Sequence, residues 1–563
     1  MERASKRRLC AATLIALLVF CAKSIAQQPS DSNAPPPPQA TTQDKPVDQT
    51  IPLLRTTTRL VVVDVVALDA AGKPVTDIKA QDFKLLEEGK EQDVRVFSFH
   101  QPETGATTAD RPRPAPNVFT NSPEFRGNSS FNVILIDAVN TAFENQAYAR
   151  QQILLFLKKM PSNQPVAIYA MVGQKVQLLQ DFTTDPVLLQ SGVQKFKGAI
   201  PMFLNRAGSV PGRLAGPMQR VAQDQIQFRA EYTVGALGYI AQHLSGYPGR
   251  KNLIWISEAF PFDITPDFQI AGTLDSRTFS EQVTRAADAL INSQVAIYPV
   301  DPRGLAAPAA FDASNRGSGS GSGLLRQLNA ESAAYFAAHG TMNEMANRTG
   351  GRSFYNRNDI AASIRQSIDD GSTYYTLGYY PDGRKWDGTF RKIRVTVAKP
   401  GVKLHYRLGY YASDPNLPPP LRIDPKKRDV EFAQNLNLQV PSSRSIVFQA
   451  GVLPRSSQDQ NKVPISFVID PRAVNFQMLA DGVEHAVVVC GVRVYSDKGK
   501  PVRLQETTIT ADLKPETYEK TQKTGIPCRI LLDLPNGKYQ MRLGVMDQTS
   551  GLTGTTNATV NVQ

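Results

Sequence analysis

Between residues 131 and 300 the chain repeats one pattern: a short run of consecutive apolar residues, then a longer stretch with helical periodicity. The runs are FNVILID (131–137), PVAIYAMV (165–172), KNLIWIS (251–257) and QVAIYPV (294–300). A strand with one wet face alternates apolar and polar residues, whereas an unbroken apolar run is buried on both faces, the condition of a parallel sheet beneath helices. After the first run, Phe143, Ala147, Leu154, Leu157 and Met160 fall mostly at helical spacings, and further helical patterns lie near 185–197, 229–244, 277–293, 331–347 and 358–370. KVQLLQDF (175–182) reads as the second arm of a hairpin. Strand and helix in alternation predict a doubly wound, Rossmann-like α/β unit over residues 129–371. Two long loops are expected inside it, at 198–226 and 303–328, the second carrying a Gly/Ser tract at 317–323 without a phosphate-loop lysine.

The flanks are different. Residues 51–105 and 372–413 contain β-branched and aromatic runs separated by turns such as Glu88-Gly89-Lys90, too few strands on either side to stand alone. The two sets are therefore predicted to pair into one β-sandwich with the α/β unit inserted in it. Residues 106–128 and the Pro-rich 414–430 read as linkers, and 431–563 as a second, all-β sandwich. The expected fold class is α/β plus all-β, consistent with several units in 563 residues.

Residues 1–26 have the three parts of a secretory signal peptide: Lys6, Arg7 and Arg8, an apolar run from Leu9 to Ala22, and Ser24-Ile25-Ala26 as a small-x-small cleavage site. The run is shorter than the ~20 residues that span a bilayer, so removal is expected rather than anchoring. A Pro-rich tether at 27–50 follows. The leader holds five basic residues against Glu2, so the formal charge of +12 becomes +8 on the remainder, with no block of five Lys/Arg to form a phosphate-binding stripe. Nucleic acid is not an expected partner, and no membrane span is expected after cleavage. The predicted location is exported: periplasmic, envelope-associated or extracellular. Once Cys10 and Cys21 leave with the leader, Cys490 and Cys528 remain in an oxidising compartment, either bridged or as two buried thiols.

In an open parallel sheet, ligands sit beyond the carboxyl ends of the strands, near the point where strand order reverses. The first apolar run ends in Asp137-Ala138-Val139-Asn140-Thr141. Taken with Val75-Thr76-Asp77 and Asp82-Phe83, PGRKNLIWIS (248–257), VAIYPVDPRG (295–304), TGGRSFYN (349–356) and YYTLGYYP (374–381), this strand end resembles a von Willebrand factor type A (vWA) domain. More closely, it is similar to the VWFA-related domain family abundant in acidobacteria, over residues 57–411. The resemblance implies a divalent cation, Mg2+ or alternatively Mn2+ or Ca2+, held by a D-x-S-x-S loop, a Thr and an Asp, and completed by an acidic residue of a protein partner. Asp137 and Thr141 stand at the first and last loop positions, Val139 replaces the middle serine, and Asn140 is expected to point elsewhere. Thr233 is the match on the second loop, ahead of Thr183 or Thr184. Glu258 is the match on the third, with Asp301 a further carboxylate on the same rim. Against this degenerate metal site stands a simpler role, in which Asp137 and Thr141 cap the helix that follows.

Catalytic chemistry is poorly supplied. The five histidines (His100, His243, His339, His405, His485) are scattered, and no H-E-x-x-H, G-x-S-x-G or G-x-x-x-x-G-K pattern occurs. The expectation is an exported, non-catalytic vWA-domain protein that mediates protein–protein interaction or adhesion in the cell envelope. A purely structural scaffold without metal is the alternative, and a hydrolase using Asp137, Glu258 and Asp301 is the third reading. Trp255 is expected in the core, and the pairs Tyr374-Tyr375, Tyr379-Tyr380 and Tyr410-Tyr411 half in core and half at the surface.

Overall fold

The computed structural model describes residues 60–102, 116–122, 130–161, 164–173, 175–199, 215–259, 286–287, 289–305, 321–381, 386–412, 425–455, 462–479 and 481–562. The expected leader and tether lie outside these residues. Five strands precede the α/β segment: β1 (Val61–Leu68), β2 (Phe83–Glu87), β3 (Lys90–Gln92), β4 (Val96–His100) and β5 (Val118–Thr120). The segment itself runs β6 (Ser130–Asp137), α1 (Phe143–Leu157), β7 (Val166–Val172), β8 (Lys175–Thr183), α2 (Pro186–Lys195), α3 (Ala215–Leu244), β9 (Arg250–Ile256), β10 (Val295–Val300), α4 (Gly321–Thr349) and α5 (Ile360–Ser372). Local chemistry sets several starts. Asp185 caps α2 by accepting from Val187 N, with Pro186 in the first turn, and Asp359 caps α5 by accepting from Ala362 N.

The central sheet has the order β10-β9-β6-β7-β8, parallel throughout except for β8, which runs antiparallel to β7 at the edge. Phe131, Val133 and Leu135 of β6 face a core made with Leu237 and Ile240 of α3 and Met345 of α4. Ile134 and Ile136 face a second core made with Ile153 of α1, Leu189 of α2 and Ile364 of α5. Successive side chains of a strand point to opposite faces, so helices on both faces leave the run with no wet side. Asn132 is a buried polar residue within the run, and it accepts a hydrogen bond from Asn252 Nδ2 at 2.9 Å. Chain order reverses at β6, which has β7 on one side and β9 on the other. A crevice is therefore expected beyond the carboxyl ends of β6 and β9. Helices α3 and α4 begin at Ala215 and Gly321, inside both expected loops. A helix anchored by its packed half propagates into neighbouring residues at little cost.

The chain then returns to β11 (Tyr374–Tyr379), β12 (Phe390–Val397), β13 (Lys403–His405) and β14 (Gly409–Tyr411). These pair with the strands before the α/β segment. β11 runs antiparallel to β1, from Val61↔Tyr379 to Val65↔Tyr375, and β12 antiparallel to β2, from Phe83↔Val397 to Glu87↔Ile393. The two resulting sheets, β13-β1-β11-β4 and β14-β12-β2-β3, contribute to one apolar cluster that includes Val63, Leu85, Leu377 and Val395. Of the paired tyrosines, Tyr380 is exposed but Tyr374, Tyr375, Tyr379, Tyr410 and Tyr411 are buried. More of them are core than alternation predicts, because these sheets also pack on the α/β segment, whose core takes in Tyr411. Their hydroxyls are used: Tyr375 donates to the Val75 carbonyl, and Tyr379 and Tyr410 donate to the buried carboxylate of Glu87.

Helix α6 (Pro425–Asn435) leads into β15 (Phe448–Val452), β16 (Lys462–Ile469), β17 (Gln477–Met478), β18 (Glu484–Ser496), β19 (Pro501–Leu513), α7 (Pro515–Thr524), β20 (Ile526–Asp533), β21 (Gly537–Asp547) and β22 (Thr553–Val562). Sheet β20-β16-β15-β5 and the sheet of β17, β18, β19, β21 and β22 share one large apolar cluster. Cys490 on β18 and Cys528 on β20 are buried in it, in contact, with Cα atoms 7.0 Å apart. Two spans read as linkers contribute structure. Residues 118–120 of the first form β5 at the edge of this sheet, where buried Asn121 donates to the Ile446 carbonyl at 2.7 Å. The second ends in α6, whose Phe432, followed by Leu436, packs where Gly491 and Gly544 have no side chain. A Cβ at Gly491 would lie 2.7 Å from Leu436.

Candidate functional site

Asp137 closes β6 at the point where strand order reverses, and its side chain is fully buried. The carboxylate is surrounded by donors. Oδ1 accepts from Val139 N at 3.0 Å and Asn140 N at 2.8 Å, while Oδ2 accepts from Asn140 Nδ2 at 2.8 Å, Trp255 Nε1 at 3.1 Å and Ser257 Oγ at 2.9 Å. Burial raises its pKa, and the bonds from Asn140, Ser257 and Trp255 oppose that rise. Trp255 is core, as expected, but its indole N–H is also part of the site.

Asn140 corrects the sequence reading. It points inward, and its Nδ2 bridges Asp137 and Thr233, donating to Thr233 Oγ1 at 3.0 Å. Its Oδ1 accepts from Arg229 Nε at 3.0 Å, and Thr233 Oγ1 donates to the Arg229 carbonyl at 2.7 Å. Burial lowers the pKa of Arg229, opposed by the charges of Asp137 and Glu258. Thr233, expected on a loop at the start of a helix, lies well inside α3 and meets Asn140 from there, one helical turn after an arginine that sequence reading missed. Spacing i, i+4 on a helix puts both residues on one face, which is the signal that was available.

Thr141 is buried, and its Oγ1 accepts a long bond of 3.4 Å from Glu258 N. Glu258 turns its Oε1 to Ala142 N at 3.1 Å and to Asn145 Nδ2. Burial raises its pKa. The helix-capping role is also corrected. α1 starts after Ala142 with no side-chain cap, and Asp137 binds the amides of its own loop instead. Gln146 holds that loop from behind, with Nε2 donating to the Thr141 and Ala199 carbonyls at 2.8 and 2.9 Å. Thr183 accepts from Asp185 N at the start of α2, among a different set of partners.

Asp301, on the same rim after β10, takes a bidentate pair of bonds from Arg303, with Nε at 2.9 Å from Oδ1 and Nη2 at 2.7 Å from Oδ2. His339 Nε2 lies 3.3 Å from Oδ2, and its ring stacks on Tyr355 at 4.0 Å. Burial lowers the pKa of His339, against the pull of Asp301.

A hard dication needs several oxygens whose lone pairs converge on one point. Here five donors occupy the two oxygens of Asp137, an NH2 group lies between Asp137 and Thr233, Glu258 faces backbone and amide donors, and Asn140 receives a guanidinium. Val139, at the position of the missing serine, is buried in the apolar core. These residues do not fit a dication. Among the described residues, no group of three or more His, Cys, Asp or Glu is arranged to hold one.

No protein-family model and no curated protein matches the sequence. Solved structures similar to the chain include vWA domains. The SpRpn10 VWA domain is 12% identical, with 31% of this chain and 88% of that chain covered and a TM-score of 0.15. The ArnB paralog VWA2 from Sulfolobus acidocaldarius is 7% identical, with 90% and 75% covered and a TM-score of 0.20. The pilus adhesin SpaC from Lactobacillus rhamnosus GG is 9% identical, with 88% and 58% covered and a TM-score of 0.26. Scores at this level carry no argument about function, which must come from the site itself.

Proposed function

We propose that this chain is an exported, non-catalytic binding protein, in which a vWA-like α/β domain is inserted in one β-sandwich and followed by another, and that the carboxyl rim of its central sheet contacts a protein partner without a metal ion. Four exposed apolar side chains carry this reading. Phe143 begins α1, Phe228 precedes Arg229 on α3, Leu305 follows β10, and Phe336 lies one turn before His339 on α4. They are 51%, 61%, 69% and 76% exposed. All sit on elements that meet the Asp137 and Asp301 networks. Large apolar groups around a polar, fully bonded centre are the composition of a protein contact surface. The polar centre supports the absence of catalysis and metal alike, since its carboxylates are committed to internal donors.

The test is a pull-down from envelope extracts with the tagged full chain, with and without chelator, using wild type and a Phe143→Ser, Phe336→Ser double variant. Exposed substitutions of this kind change stability by only about 0.5 kcal/mol each. The expected partner is retained in chelator and lost from the double variant. Release by chelator would restore the metal-dependent reading, and retention by the double variant would move the contact to the β-modules, as in the scaffold reading.

A further inference from the structure

We propose that the outer edge of the central sheet is a second binding site, which takes an extended polypeptide segment by strand addition to β8. A groove of about 1150 Å³ lies between the start of β8, the middle of α3, helix α6 and the segment after it. One side of β8 is paired with β7. On the other side Leu178 N–H donates to the Gln439 carbonyl at 3.1 Å. Backbone groups of alternate residues in an antiparallel pair point the same way, so the N–H and C=O of Val176 face this groove, and they have no partner among the described residues. Gln439 lies in the turn after α6, so this edge already takes one backbone partner from outside the sheet. An edge strand with open N–H and C=O groups is a template for another chain.

The lining matches a peptide rather than a charged ligand. Gln177, Gln434, Gln439 and Gln540 each offer a donor and an acceptor, the pair a peptide group needs. Tyr232, Tyr239 and Val430 supply apolar surface for side chains. The Tyr232 hydroxyl is buried without a partner among the described residues. Lys175 and Lys426 stand against Glu431, so no strong net charge selects an anion or a cation. The floor includes Gly235, exposed in the middle of α3, where a Cβ would meet nothing within 4 Å. Glycine is a poor helix former, and at this position it keeps the floor open.

That glycine provides the test. A phage-displayed library of random linear peptides is selected on the full chain in the presence of chelator, and selected peptides are measured by fluorescence anisotropy against wild type, Gly235→Ala and Gly235→Trp. Binding should survive in Gly235→Ala and weaken by roughly tenfold or more in Gly235→Trp, which fills the groove without a clash inside the fold. Bound peptide should also slow amide exchange in the 175–183 segment. Failure to enrich any peptide, equal binding to Gly235→Trp, or unchanged exchange in β8 would overturn the proposal. So would a neutral oligosaccharide that competes for the groove while no peptide does. The rim contact is read by a separate pull-down, so failure of either proposal leaves the other standing.

Discussion

Asn140 is the residue on which the rim depends, and its replacement by leucine, close in volume but without hydrogen-bonding groups, makes the most demanding prediction. Three bonds disappear: Nδ2 to Asp137, Nδ2 to Thr233, and Arg229 Nε to Oδ1. A lost bond to a charged group costs about 1.5–3 kcal/mol, and the shortfalls at Thr233 and Arg229 add about 1 kcal/mol each. The expected loss is about 4 kcal/mol, within the range for breaking a buried charge network. Urea unfolding followed by tryptophan fluorescence reads it directly, because Trp255 is itself a donor to Asp137. Asn140→Asp sharpens the test at nearly constant shape. It sets a second carboxylate against Asp137, so it should be destabilised at neutral pH, recover as pH falls, and gain stability in millimolar Mg2+, unlike wild type. A loss below about 1 kcal/mol for Asn140→Leu, or a wild-type stability that rises with Mg2+ as the Asn140→Asp variant does, would refute the reasoning.

Three further outcomes are expected. His243 is buried on α3, with Nδ1 donating to the Tyr239 carbonyl, and burial lowers its pKa from 6.5 to about 4. A depressed histidine contributes in full above its unfolded pKa and loses that contribution as pH falls from 6.5 to 4. At about 1.4 kcal/mol per pKa unit the loss is about 3 kcal/mol, and His243→Gln should flatten a stability profile over that window. Cys490 and Cys528 are proposed to be bridged. With a separation of 38 residues, reduction should cost about 4 kcal/mol on the chain-entropy estimate, and thiol labelling of the denatured, non-reduced chain should find neither cysteine free. Trp255→Phe removes one donor from Asp137 and should cost about 2 kcal/mol by denaturant titration. A neutral result would mean that the indole N–H is not needed there.

The long-range architecture was readable because it follows from burial. Unbroken apolar runs fit a sheet covered on both faces, and each incomplete strand set lacked partners of its own; Val61 pairs with Tyr379 across the two sets. Asp137 was readable as the end of an apolar strand, whereas Thr233, read at the start of a helix, lies well inside α3. The inward turn of Asn140 was not readable, because the five-residue loop 138–142 gives no periodicity from which to infer direction. Arg229 was hidden for a related reason, since a long basic side chain on a helix normally faces solvent. The buried tyrosines and β5 were missed because both depend on contacts between segments distant in sequence. No local pattern marks residues 118–120 as an edge strand for β15.

The most direct test of a metal-free rim is titration calorimetry of Mg2+ and Mn2+ into the full chain and its Asp137→Ala variant. The geometry predicts no binding heat from the wild-type rim with either ion. A stoichiometric heat in wild type that Asp137→Ala abolishes would contradict it.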